Sequence, residues 1–216
     1  MMKTNYQQIL DNILASLDKN KHYNLLLHSC CGPCSSYVIE YLSNYFDITV
    51  FYYNPNIAPI DEYLKRKNEQ LKLINEIKTK NKVCFLDCDY EGNKFDEIAK
   101  GLESEPERGK RCSKCYFLRL EKVAQVAKEN NFDFFGTTLT VSPYKDSERI
   151  NNMGRLLESK YKISYLFSDF KKKNGYKRSI ELAKQYNLYR QDYCGCIYSK
   201  EESYSKRGKT NQFNIN

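Results

Sequence analysis

The sequence has no tryptophan, only 2 histidines and only 5 prolines in 216 residues. No apolar run approaches the roughly 20 residues that a membrane-spanning helix needs. The first stretch, Met1 to Lys21, is polar and mixed in charge, with no apolar signal segment. No phosphate loop of the G-x-x-x-x-G-K-[ST] kind is present, no G-x-G-x-x-G, and no Ser–His–Asp order. These absences argue against a membrane protein, a secreted one, a nucleotide-phosphate enzyme and a serine hydrolase. A cytoplasmic, reducing environment is expected, and a chain of this length buries a sufficient core without disulfides. The 9 cysteines therefore call for metal binding or catalysis.

The charge balance is 35 basic to 27 acidic residues, a net +8, with 19 tyrosines. Such a surface can neutralise phosphates and stack unpaired bases, though a solvated lysine-rich surface has the same composition.

Short apolar runs alternate with longer amphipathic ones. Asn24–Cys30 reads as a buried strand, followed by a helix that starts near Pro33 and runs to about Asn44. Asp47–Asn54 is a second strand, Ile60–Lys80 a helix, and Lys82–Asp89 a third strand. Helices are expected around Phe95–Leu102 and Cys112–Asn130, a fourth strand at Phe132–Leu139, a helix at Ser147–Tyr161, a fifth strand at Ile163–Phe167 and a last helix at Tyr176–Tyr186. This alternation predicts an α/β fold, a doubly wound and mostly parallel sheet, whose ligands sit beyond the carboxyl ends of the strands. Residues 1–200 are expected as one domain and residues 201–216 as a polar, flexible tail.

The cysteines fall into groups. Cys30, Cys31 and Cys34 lie in HSCCGPCSS at a strand-to-helix turn, and Cys112 and Cys115 form a C-x-x-C at a helix start. Helix N-termini favour thiolates and the anionic clusters they hold, and residues i and i+3 face the same way. Cys30, Cys31, Cys112 and Cys115 are thus candidate ligands of one [4Fe–4S] cluster, with tetrahedral zinc as the rival metal. Cys31-Gly32-Pro33-Cys34 also spells the dithiol motif of thioredoxin-like oxidoreductases, which keeps a thiol–disulfide reading open. Cys194 and Cys196 form a C-G-C pair suited to a strained, easily reduced disulfide. Cys84 and Cys88 read as core thiols of the third strand. Cys34 and Asp89 are candidate ligands of a second metal, iron or zinc. Lys145, Arg149, Lys171, Lys172, Lys173 and Arg190 are candidate contacts to nucleic acid.

Five ordered segments, LHSCCGPCSS, FYYNPNIAP, RCSKCYFLRLEKVA, TTLTVSPYKD and YRQDYCGCIYS, make the chain from about Leu25 to Ser199 resemble the QueH family of epoxyqueuosine reductases. The resemblance implies a Rossmann-like, nucleotide alpha-hydrolase-like fold with its metal site at the carboxyl edge. It also implies reduction of epoxyqueuosine to queuosine at the wobble position of tRNA, the last step of queuosine synthesis. By motif, Cys30, Cys31, Cys112 and Cys115 would hold the [4Fe–4S] cluster, and Cys194 with Cys196 would be the redox-active pair. An additional metal beside the cluster, with cysteine and aspartate ligands, is implied too. The partners would be tRNA bearing epoxyqueuosine and a separate electron donor, with no membrane involved. Two rivals remain on the residues: an ATP-dependent tRNA-thiolating enzyme, which would need a phosphate loop where the cysteines stand, and a non-catalytic, metal-stabilised RNA-binding protein.

Overall fold

Leu25, Leu26 and Leu27 set the architecture, because three consecutive apolar residues in a strand demand cover on both faces. All three are fully buried, each worth about 2 kcal/mol of transfer free energy. The computed structural model describes residues 4–212, and in it the run forms strand β1 (Asn24–His28) at the centre of a five-stranded sheet. Strands β2 (Asp47–Phe51) and β3 (Val83–Leu86) extend the sheet on one side, β4 (Phe134–Thr137) and β5 (Ser164–Tyr165) on the other. The order is β3-β2-β1-β4-β5 and every pairing is parallel.

The period-2 alternation of β1 sorts the helices. Leu25 and Leu27 pack with residues of α1 (Tyr6–Ser16), α2 (Gly32–Leu42), α3 (Ile60–Glu76) and α7 (Gly175–Gln185). Leu26 faces the other way, into a cluster with α5 (Lys110–Glu129) and α6 (Ser147–Tyr161). Helix α4 (Gly92–Ala99) packs beside α5.

Three elements differ from the sequence expectation. Helix α1 was not anticipated, since its apolar face of Leu10 and Leu14 lies within a polar stretch. Strand β3 stops at Leu86, which leaves Cys84 within it but Cys88 and Asp89 in the following turn. No helix was expected after Tyr186, but Ile197–Gln212 form helix α8, and residues 213–216 of the expected tail lie outside the described residues. Its start is anchored by Ser199, buried, whose Oγ donates to the Cys196 carbonyl. Among the described residues no helix is long and apolar enough to cross a membrane.

The sheet order puts the topological switch point between β1 and β4, where the loops leaving the two strands diverge and a crevice opens.

Candidate active site

Cys30 follows the last residue of β1 by two positions, so the strand delivers it to the crevice. Cys31 is the N-cap of α2 and Pro33 stands in that helix's first turn. The turn is fixed from below by Gln70 of α3, whose Oε1 accepts from the hydroxyls of Ser29 (2.6 Å) and Ser35 (2.7 Å). The sulfurs of Cys30, Cys31 and Cys34 lie within 4.8 Å of one another, the one such group of metal-binding side chains among the described residues. Hydrogen bonding from Cys31 and Cys34 holds the Cys30 thiol well below its ordinary range. The same bonding pushes Cys31 up to about 12 and Cys34 well above the usual thiol value. Cys30 is thus the thiol of the trio whose ionised form its neighbours favour, and ligation of a metal by all three would release protons.

Cys112 lies in the first turn of α5 with Cys115 one turn on, both buried. Burial raises both thiols, Cys115 to about 12. These two share a small inner cavity with Cys194 and Cys196. An outer cavity of about 420 Å³ opens over Cys30, Cys34, Arg119, Lys145, Arg190 and Cys194. Its size is that of a small-ligand site. Cys194 lines both cavities, so it is the sulfur that connects them.

The four sulfurs predicted for one cluster thus come from the two sets: Cys30 and Cys31 with Cys34, and Cys112 and Cys115 with the C-G-C pair. Cys30 and Cys112 border one apolar cluster, while the compact sulfur group among the described residues holds Cys30, Cys31 and Cys34 without Cys112 or Cys115. Asp89 stands exposed beyond β3, outside the compact sulfur group.

The loop after β2 ties these parts together. Asn54 donates from Nδ2 to the Ser29 carbonyl (2.8 Å), next to Cys30, and its Oδ1 accepts from Arg119 Nη1 (3.4 Å). Arg119 also donates from Nε to the Cys115 carbonyl (3.2 Å). Further along, Ala58 N donates to the Gly195 carbonyl (3.0 Å), and Arg66 Nη1 donates to that of Cys194 (3.1 Å). His28 closes the end of β1 by packing between Thr137 Oγ1 (3.0 Å) and the Tyr53 carbonyl (3.2 Å). Burial, then the nearby Arg119 charge, pushes its imidazole down to about 3, so it is neutral and structural.

Arg119 was missed in the sequence, although its i+4 spacing from Cys115 places it one helical turn along the same face. A charged residue on an amphipathic helix reads as solvated, yet Arg119 is 1% exposed. It pairs with no carboxylate among the described residues, and its Nη2 has no hydrogen-bond partner there. Of the cations considered for nucleic acid, Lys145 meets Cys194, Lys171 pairs with Asp169 and Lys173 with Asp11. Arg149 donates to the Arg108 carbonyl and to Ser113, while Arg190 lines the outer cavity.

Gly195 adopts φ +139, and a Cβ there would stand 2.9 Å from Ile57 Cγ1. Gly195→Ala is expected to destabilise the fold by about 1–3 kcal/mol, read as a lowered midpoint of chemical unfolding. An unchanged midpoint would show that the C-G-C turn relaxes without strain.

A parallel α/β sheet that gathers thiols of unequal acidity at its switch point, beside an open cavity, defines an enzyme of the metal–thiolate or redox class. Comparison with known proteins gives the particular family. The family model described as "Epoxyqueuosine reductase QueH" matches residues 25–202, and the chain belongs to that family. A Staphylococcus epidermidis protein named epoxyqueuosine reductase QueH is 44% identical over 202 residues, 91% of this chain and 85% of that one. One of the same name from Streptococcus pyogenes is 44% identical, covering 91% and 78%. A Thermotoga maritima relative, also so named, is 34% identical over 86% of this chain and 94% of its own. A solved deacetylase of teicoplanin biosynthesis overlaps 66% of this chain and 65% of its own at 9% identity, with a TM-score of 0.36.

Proposed function

We infer that this chain is an epoxyqueuosine reductase, a tRNA-modifying oxidoreductase that converts epoxyqueuosine at the wobble position to queuosine. The observation that carries this reading is the family match over residues 25–202, which spans every cysteine of the crevice. It disfavours the thiolating, thioredoxin-like and non-catalytic alternatives. The thiolating enzyme would need a phosphate loop where Cys30, Cys31 and Cys34 converge.

A [4Fe–4S] cluster held by Cys30, Cys31, Cys112 and Cys115 suits the residues. A buried guanidinium with no carboxylate partner needs an anion, and Arg119 stands against Cys115 and Cys30 in that condition. When bound, such a cluster supplies one-electron transfer. The chain's own groups do the rest. The outer cavity receives the nucleoside, Arg119 balances negative charge on the sulfurs, and the C-G-C pair stores two electrons. A further iron or zinc ion beside the cluster would take Cys34, the sulfur of the compact group that the cluster leaves over, with Asp89 as its other candidate ligand. A cytoplasmic location agrees with nine unpaired thiols in a chain that folds without disulfides.

The test is anaerobic purification with iron and sulfide quantification, then incubation with a reductant and tRNA carrying epoxyqueuosine, read by nucleoside mass spectrometry. Conversion to queuosine is expected. A full, reducible cluster with no conversion would assign the protein a different substrate. tRNA affinity is expected to fall at least about tenfold between 50 and 200 mM salt. A flat salt response would exclude docking through the phosphates.

A further inference from the structure

Lys145, like Arg119, is a cation of the outer cavity wall that no carboxylate among the described residues claims. Its Nζ lies 2.9 Å from Cys194 Sγ and 5.3 Å from the centre of the Tyr116 ring. Cys196 is placed differently: it is buried, its sulfur is 3.4 Å from Ser199 Oγ, and it lines the inner cavity alone. One sulfur of the pair therefore shares a proton with an amine in the substrate-sized cavity, and the other does not.

We propose that Lys145 is a catalytic residue that delivers a proton to the departing epoxide oxygen as the Cys194–Cys196 pair is oxidised. This rests on the reading of the chain as an epoxyqueuosine reductase. Converting the epoxide to the alkene breaks two C–O bonds, forms the π bond between the carbons and releases water, so the substrate takes up two electrons and two protons. The pair gives up two electrons as its S–S bond forms. Its protons are the one on the Cys196 thiol and the one shared by Lys145 and Cys194. Lys145 is left as a neutral amine, and electrons and protons balance whatever route the electrons take.

The surroundings make the amine responsive to the sulfur. Burial works against its charge, but the Cys194 sulfur, with Tyr116, outweighs burial and holds the ammonium well above the ordinary lysine range. Forming the disulfide removes that sulfur as a partner, so that burial and the Arg119 charge, which favour the neutral form, are opposed by Tyr116 alone. The other ionisable groups around the pair include Arg111, Cys112 and Cys115 of α5, Arg66 against the Cys194 carbonyl, Glu107 on the wall of both cavities, and Arg190, Asp192 and Tyr193 on the wall of the outer one. Lys145 makes no ion pair with Glu107 among the described residues, and its Nζ donates to Cys194 Sγ.

Acetylation of the holoprotein by acetic anhydride at pH 7, read at Lys145 by peptide mass spectrometry, tests this without substrate. Labelling is expected to rise about tenfold or more when the pair is oxidised. Equal labelling in both redox states would overturn the proposal, and because no conversion is measured, that failure is separate from an error in the assigned reaction. Lys145→Arg supplies the second test, since a guanidinium keeps the charge but does not release its proton. Both Lys145→Arg and Lys145→Met are expected to lower kcat about 10²–10³-fold with KM for tRNA unchanged. Recovery of half or more of the wild-type kcat in Lys145→Arg would reduce Lys145 to a structural charge and overturn the proposal.

Discussion

Cys194→Ser is expected to keep the fold and the visible iron–sulfur absorbance while lowering turnover by about three orders of magnitude or more. The expectation follows from where Cys194 sits. It is the sulfur common to both cavities, in a segment anchored through its carbonyl to Arg66, so a serine of similar size leaves the backbone contacts in place. What it removes is the disulfide proposed between Cys194 and Cys196, and with it the proposed store of two electrons. Cys196→Ser should cost the same, and the double variant no more than either single one, because the two sulfurs act as one unit. Turnover by mass spectrometry alongside the absorbance spectrum separates the outcomes. Wild-type turnover in Cys194→Ser would show that the pair takes no part in the reaction. Loss of the absorbance would make Cys194 a ligand instead.

Arg119→Met is the second large effect, and it acts on assembly. The side chain joins the Cys115 carbonyl to Asn54, and Asn54 joins Ser29 beside Cys30. Methionine fills much of the volume but leaves Asn54 Oδ1 and the negative charge of the ligated sulfurs uncompensated. Stability should fall by about 2–4 kcal/mol and iron content should fall with it. Urea unfolding and iron quantification on the same preparation check both. Arg119→Lys should recover part of the charge but not the two-point connection, so its iron content is expected between those of wild type and Arg119→Met. Full iron in Arg119→Met would mean that the two sulfur sets align without the bridge.

Much of this arrangement was legible in the sequence. The triple leucine of β1 required a strand covered on both faces, and the strand–helix alternation gave a parallel sheet. The residues of HSCCGPCSS and RCSKCY pointed to helix starts, where the structure places Cys31 and Cys112. Less visible were features that depend on a partner distant in the chain. Helix α1 has a short apolar stripe in a polar stretch, and it becomes intelligible only against α2 and α7. Arg119 reads as solvent-facing until the loop carrying Asn54 is laid across it. Lys145 was noticed for its charge, but its neighbour is a sulfur 49 residues later. Helix α8 was not foreseen because its composition is polar, while its start is anchored by the buried Ser199.

The C-G-C segment is held largely by its own peptide groups: the Cys194 carbonyl accepts from Arg66, and the Gly195 carbonyl accepts from Ala58. Contacts of that kind do not read the identity of the neighbouring side chains. The side chain at position 194 is therefore not what docks the segment, whereas losing Arg66 would free the Cys194 carbonyl and remove the guanidinium from the face of Tyr193, loosening the turn from both sides.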